Sequence, residues 1–318
     1  MITTKPFIKW TGSKRSQAKV IVDKFPKEIN IYCECFVGGG SVLHELLNRI
    51  YNKEIKCNRI VCCDINTDLI TLWRMLIDKN KRQKLLEYYT CLHYKLKARA
   101  GYIDGPMTTE HVKLAQTLYY EMRDKYNEYI VNDIYNEERA MIFYWITRTA
   151  FNGLIRYNPK TRKFNSPFHV GGRFGITPDE LLEVFNGWGT VIDSFIENGG
   201  RLDFYCCDYG EVISGLGNGD VVYMDPPYDK VGGTYFCEEF SVERLNKIIE
   251  WLTECGAKVL LSYDGTSGEE DRTSNKIRPW YKTHEYINAG RSSFKGLKSK
   301  SRKVGSNDIV KDSLYLNF

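Results

Sequence analysis

Five short, mostly apolar runs, at 31–35, 59–63, 202–206, 221–224 and 258–262, limit what this chain can fold into. A strand with one wet face alternates apolar and polar residues, whereas a strand covered on both faces reads as a near-continuous apolar run. Helical patterns at 41–50 and 67–77 follow the first two runs, and one at 242–254 precedes the last. That is the βα alternation of an α/β, doubly wound parallel sheet. Between 80 and 197 the pattern changes to long, charged helical segments, such as 84–98, 110–126 and 137–149, interrupted by a loop rich in Gly, Pro and Arg. This middle reads as an insert between the second and third strands. It predicts a discontinuous catalytic domain, 1–79 and 198–318, and a mostly helical substrate-contacting insert, 80–197.

Composition narrows the function classes. No stretch of the 318 residues approaches the roughly 18 consecutive apolar residues of a membrane span. The first nine residues lack an apolar core followed by a cleavage site, which argues against secretion or membrane anchoring and for a cytoplasmic location. The ten cysteines contain no CxxC pair, and the vicinal pairs Cys62-Cys63 and Cys206-Cys207 lie on strand runs where neighbours face opposite ways. Buried reduced thiols are expected, with neither a metal site nor a disulfide framework. The net charge of +5 is modest but clustered. The stretch 156–173 carries Arg156, Lys160, Arg162, Lys163 and Arg173 without an acid, and 291–303 carries Arg291, Lys295, Lys298, Lys300, Arg302 and Lys303 likewise. A solvated loop explains one such run; two, interleaved with aromatics, suit a polyanion such as nucleic acid.

Chemistry gathers where the strand runs end. The loop from Phe36 through Gly38, Gly39 and Gly40 to Ser41 follows the first strand and opens a helix, the place where a nucleotide-like cofactor meets a parallel sheet. Leu43 stands where a dinucleotide fingerprint needs its third glycine, which disfavours a nicotinamide. Asp64 ends the second strand and can accept both hydroxyls of a ribose, while Asn66 has the better position to cap the following helix. Asp208 and Tyr209 follow the third strand and can hold an adenine ring by hydrogen bond and stacking, or serve as ordinary turn residues. The sharpest feature is Asp225-Pro226-Pro227-Tyr228, directly after the fourth strand. Two prolines make the turn rigid and remove competing N–H groups. The Asp225 carboxylate and the Pro226 carbonyl can then accept from one amino group, with the Tyr228 ring stacked on the base that carries it. The five histidines, His44, His93, His111, His169 and His284, fall outside these strand ends.

These segments, in this order, resemble the Dam-type (alpha group) DNA adenine-N6 methyltransferase family of bacteria and phages. The resemblance rests on residues 9–14 (KWTGSK), 36–40 (FVGGG), 64–66 (DIN) and 225–228 (DPPY), with 151–158 (FNGLIRYN) similar to the family's target-recognition hairpin, placed near 148–175. It covers essentially the whole chain. The resemblance implies a Rossmann-like methyltransferase sheet, S-adenosylmethionine as methyl donor, no metal, and double-stranded DNA as substrate, methylated at adenine within GATC. It implies that Trp10, Lys14, Phe36, Gly38, Gly40, Asp64, Asp208, Tyr209 and Asp225 line the cofactor site. It also implies that Asp225, Pro226 and Tyr228 hold a flipped adenine, and that Lys9, Phe151, Asn152, Leu154, Arg156, Asn158 and Pro167 contact DNA. Arginine on a guanine edge and an apolar side chain on a thymine methyl are the expected readout chemistry. Ser13 departs from the family's usual second glycine, and Gly171-Gly172 from its usual larger side chain. Related tetrapeptides also hold amines of cytosine, RNA or glutamine, and a catalytically silent DNA-binding protein can keep the fold. Solitary, phage-borne and restriction-associated enzymes share these motifs.

Overall fold

The computed structural model describes residues 5–101, 108–169, 174–228, 240–267, 270–271, 273–291 and 309–318. Gly171, Gly172, Arg173 and the basic run from Lys295 to Lys303 lie outside the described residues. A short helix α1 (Ala18–Val22) precedes strand β1 (Glu28–Glu34), helix α2 (Ser41–Tyr51), strand β2 (Lys56–Asp64) and helix α3 (Thr67–Ile77). Four helices follow before the chain returns to the sheet: α4 (Lys79–Arg99), α5 (Thr109–Val131), α6 (Glu137–Thr149) and α7 (Pro178–Glu197). Then come β3 (Arg201–Cys206), α8 (Tyr209–Val212), β4 (Val221–Met224), α9 (Val242–Glu254), β5 (Lys258–Ser267), β6 (Glu270–Asp271), β7 (Thr283–Arg291) and β8 (Ile309–Leu316).

The sheet runs β3-β2-β1-β4-β5-β8-β7, with β6 beside β5. The first five of these strands are parallel, and β8 and β7 add an antiparallel edge. Registers such as Cys33 opposite both Val61 and Val222 place β1 between β2 and β4. The apolar run is the whole of β4, whereas β1 and β2 begin three residues before theirs, at Glu28 and Lys56, where polar residues complete the ladder. The five parallel strands are those expected from the apolar runs, and the antiparallel hairpin of β7 and β8 extends the sheet beyond them. Of the two, only β7 lies at the edge; β8 lies between β5 and β7, and its Ser313, Leu314, Tyr315 and Leu316 are buried.

Strand residues divide by parity between two cores. Tyr32, Ile60, Cys62, Val221, Tyr223 and Leu260 face one cluster; Cys33, Cys35, Val61, Cys63, Val222 and Leu261 face the other. Cys62 and Cys63 thus point to opposite faces, as adjacent strand residues must. The second cluster is closed by α9, whose Leu245, Ile249 and Leu252 are buried. In the first, the helices between β2 and β3 share one core with α2, α3 and the N-terminal segment. Trp73 of α3 is its hub, with ring centres 5.1 Å from Phe7, 5.1 Å from Trp188 of α7 and 5.3 Å from Phe204 of β3. Among the described residues no helix is long and apolar enough to cross a membrane.

Helix ends follow local chemistry. Asn66, not Asp64, caps α3 by accepting from Leu69 N at 2.9 Å. Helix α7 starts with a capping box of Thr177 and Glu180 around Pro178.

Candidate active site

Strand order reverses at β1, whose neighbours β2 and β4 carry the chain away on either side. At such a switch point the loops leaving the carboxyl ends of adjacent strands part and leave a crevice. The loop 36–40, Asp64 and the tetrapeptide 225–228 all leave strands at that edge.

Lys14 and Asp225 meet there. The Lys14 ammonium lies 2.8 Å from the Asp225 carboxylate and is only 8% exposed. It sits 5.2 Å from the centre of the Tyr228 ring, and the Tyr228 hydroxyl is 3.4 Å from Asp225 Oδ1. Tyr228 packs in turn on Tyr263, with ring centres 5.2 Å apart. Burial works against the Lys14 charge, but the carboxylates of Asp225 and Asp312 outweigh it and hold its pKa above the ordinary lysine value. The resemblance places Lys14 in the cofactor site; in the structure its charge is on the tetrapeptide.

On the other side of the crevice, Asp64 holds the glycine loop. Its two oxygens accept from Gly38 N at 3.2 Å and Asn66 N at 3.0 Å. Burial raises its pKa to about 6 against the pull of these backbone donors. The glycines are explained by packing within the protein rather than by ligand approach alone. A Cβ on Gly38, whose φ is +44°, would lie 2.8 Å from Trp10 Nε1. Gly40, at φ +63°, is the N-cap of α2, and a Cβ there would strike the Trp73 ring at 2.5 Å. Phe36 and Tyr209 stand 5.0 Å apart, and Phe240 lies 6.1 Å and 6.2 Å from them. Asp208 caps α8 through Gly210 N at 2.8 Å and pairs with Arg244, whose guanidinium lies 4.8 Å from the Tyr209 ring centre.

This side fits an adenosyl group. The two Asp64 oxygens accept from Gly38 N and Asn66 N, with the Ile65 backbone a further donor, and a carboxylate offers about four lone-pair sites. Acceptor capacity is left over for a ribose hydroxyl. The half-buried Phe36 ring beside Tyr209 supplies an aromatic wall for a purine.

The segment 150–168 forms a hairpin, bridged at Ala150–Phe168 and Tyr157–Phe164. Helix α5 holds it: Asn127 exchanges hydrogen bonds with the Phe164 backbone at 2.7 and 3.1 Å, and Tyr119 donates to Ser166 O at 2.9 Å. Tyr157 is buried against Tyr126, which donates to Asp68 of α3 at 2.7 Å. Phe151, Asn152, Arg156 and Pro167 are exposed, and Leu154 is half-buried. Asn152 adopts φ +53°, and Phe151 N donates to Pro167 O at 2.8 Å. Arg156 is oriented by Asn165 Oδ1 at 2.8 Å. The Asn158 side-chain oxygen is engaged inside the turn, accepting from Lys160 N and Thr161 N. Lys9 runs beside the hairpin, since a Cβ on Gly153 would lie 2.2 Å from its Cδ. Partial burial and the Arg148 charge lower the Lys9 pKa.

Asp312, Gln17, Arg244 and Glu34 are not singled out from the sequence. Asp312 on β8 lies 3.7 Å from Lys14, and Gln17 donates to it at 2.9 Å. No spacing in the chain connects them to Asp225. Arg244, on α9, gives no more signal. Glu34 does give one: it is an acid at the end of an apolar strand.

Residues 10–293 match the family described as D12 class N6 adenine-specific DNA methyltransferase. A type II methyltransferase, M.MjaIII of Methanocaldococcus jannaschii, is 30% identical over 272 residues, 81% of this chain and 83% of its own. The DNA adenine methylase of Escherichia coli K12 is 29% identical over 274 residues, 84% of this chain and 83% of its own. The type II methyltransferase M1.LlaDCHI of Lactococcus lactis is 28% identical over 269 residues, 82% and 81% of the two chains.

Glu34 is 3% exposed beneath this crevice. Burial pushes its pKa to about 8, the hydrogen bonds from Tyr32 and the Leu43 backbone opposing and the Asp225 charge adding. A carboxyl raised in the folded state favours folding below its unfolded pKa and loses that advantage as pH rises through the folded one. Glu34→Gln should therefore match the parent near pH 4 and exceed its unfolding free energy above pH 8 by several kcal/mol, about 1.4 kcal/mol for each unit of the rise. Urea denaturation across that range checks it; a pH-independent difference would mean that Glu34 is not held neutral.

Proposed function

The chain belongs to the D12 class of N6 adenine-specific DNA methyltransferases, and we propose that it methylates adenine within GATC of duplex DNA by drawing the base into the crevice between Asp225, Pro226 and Tyr228. The observation that carries this reading is the placement of the tetrapeptide at the switch point, beside a buried ammonium and facing a carboxylate suited to a ribose. S-adenosylmethionine, when bound, supplies an electrophilic sulfonium methyl.

Everything else falls to the protein. Adenine's amine is a weak nucleophile because its lone pair is delocalised into the ring. Asp225 and the Pro226 carbonyl accept its two hydrogens, which favours a more tetrahedral nitrogen and aims the lone pair away from both acceptors. Tyr228 stacks on the extruded base, which offsets part of the few kcal/mol that unstacking costs. Asp64 takes the ribose hydroxyls, Phe36 and Tyr209 border the purine with Asp208 at its rim, and Trp10, Gly38 and Gly40 shape the loop beneath. The helical segment 80–197 carries target recognition on its hairpin. Lys9, Leu154 and Arg156 read base edges, Phe151 and Asn152 lie at the vacated pair, and Asn158 and Pro167 border the strand. Basic side chains around the hairpin contact phosphates, so binding weakens with salt.

Asp225→Ala should leave a folded protein that binds DNA and lowers methyl transfer by about three orders of magnitude or more, taking the loss of one preorganised acceptor as the guide. Near-normal turnover would remove Asp225 from the mechanism. Arg156→Ala should relax preference at one base pair by about 1–3 kcal/mol, a larger effect than on overall affinity. Competition among single-base variants of the site measures it, and an unchanged preference would assign the reading to another residue.

A further inference from the structure

Lys14 has two carboxylates within reach, and only one belongs to the tetrapeptide. Asp225 lies 2.8 Å from its ammonium and Asp312 lies 3.7 Å away. Asp312 stands on β8 and accepts the Gln17 amide at 2.9 Å. Gln17 belongs to the same tight turn as Lys14, its backbone N donating to Lys14 O at 2.9 Å. Lys14 and Gln17 are 8% and 2% exposed, and the Asp312 side chain is 15% exposed. Besides the Gly12 carbonyl at 3.4 Å, the buried cation is thus flanked by two carboxylates, one in close contact and one held about 1 Å short of it by a neighbour on the cation's own turn.

This arrangement matters because the ammonium and the Tyr228 hydroxyl both lie against Asp225 Oδ1, so an adenine amine can take that oxygen only if the ammonium leaves it. The inference rests on the reading of Asp225 as the amine acceptor given above. When a neutral amine takes Asp225, a buried ammonium cannot be left without a carboxylate, because the desolvation of an unpaired buried charge is not compensated. We propose that Asp312 is a positioning residue that takes Lys14 over from Asp225 as the target adenine enters, freeing Asp225 to accept the amine. One ammonium and two carboxylates are present before and after, so no proton has to move. The displacement is a side-chain adjustment of about 1 Å, and Gln17 keeps the receiving carboxylate in place.

The test uses the full chain, S-adenosylmethionine and a duplex with 2-aminopurine or adenine at the target position. Asp312→Asn should bind donor and duplex as the parent does, yet lose roughly 10- to 100-fold in single-turnover methylation at saturation. It should also show a weaker rise in 2-aminopurine fluorescence, because the base is not retained in the crevice. Asp312→Glu should restore most of both signals. In a Lys14→Gln background, Asp312→Asn should cost nothing further, since there is no ammonium to receive.

Parental rates in Asp312→Asn, or an equal loss with and without Lys14, would overturn the proposal while an inactive Asp225→Ala leaves the active-site reading standing. Active Asp225→Ala would overturn both. If Asp312→Asn does not fold, the unsubstituted protein crystallised with target duplex and S-adenosylhomocysteine decides. Lys14 in hydrogen-bond contact with Asp312 supports the transfer, and Lys14 still on Asp225 beside a flipped adenine overturns it.

Discussion

Trp73 is the side chain on which the rest of the molecule hangs. It leaves α3 and touches the sheet at Phe204, the helix before β3 at Trp188 and the N-terminal segment at Phe7, while its indole N–H donates to Gly38 O at 3.1 Å. One buried ring therefore joins the glycine loop, the helices between β2 and β3, and the segment that leads to Lys9, Trp10 and Lys14. The loop has its glycines because Trp73 lies against Gly40 and Trp10 against Gly38. Arg148 and Tyr144 of α6 add to this by donating to the Phe7 carbonyl. The glycine loop, the N-terminal segment and the hairpin are consequently held by one aromatic core, while Phe36, Tyr209 and Tyr228 pack against the other.

Charge at the switch point is managed by pairing rather than by exposure. The crevice brings Asp225, Asp312 and Glu34 together with one lysine, and burial would expel most of these charges if each stood alone. Lys14 answers for two carboxylates, and Glu34 is held neutral by burial. Such a site presents a carboxylate acceptor in a dry cleft, where a hydrogen bond to an incoming amine is stronger than in water.

The strand-end motifs were legible because strands covered on both faces read as continuous apolar runs, and each motif begins where its run stops. The tetrapeptide, Asp64 and the Asn66 cap are local features of that kind. Legibility failed where partners come from separate elements. Asp312 reaches Lys14 only because β8 lies antiparallel to β5, and Arg244 reaches Asp208 only because α9 folds over α8. The β7–β8 hairpin was missed for a related reason: polar residues in 283–291, and Lys311 and Asp312 in β8, interrupt the continuous apolar run by which the other strands were read. The glycines of 38–40 announce a tight approach, but residue type alone does not say whether a ligand or a tryptophan makes it.

The most direct test is transfer of a labelled methyl group from S-adenosylmethionine to unmethylated duplex DNA, followed by identification of the modified base and its flanking sequence. The account predicts N6-methyladenine confined to GATC. Label on adenine in another sequence would contradict the roles given to Lys9, Leu154 and Arg156, and label on any other base would contradict the amine-holding role of Asp225, Pro226 and Tyr228.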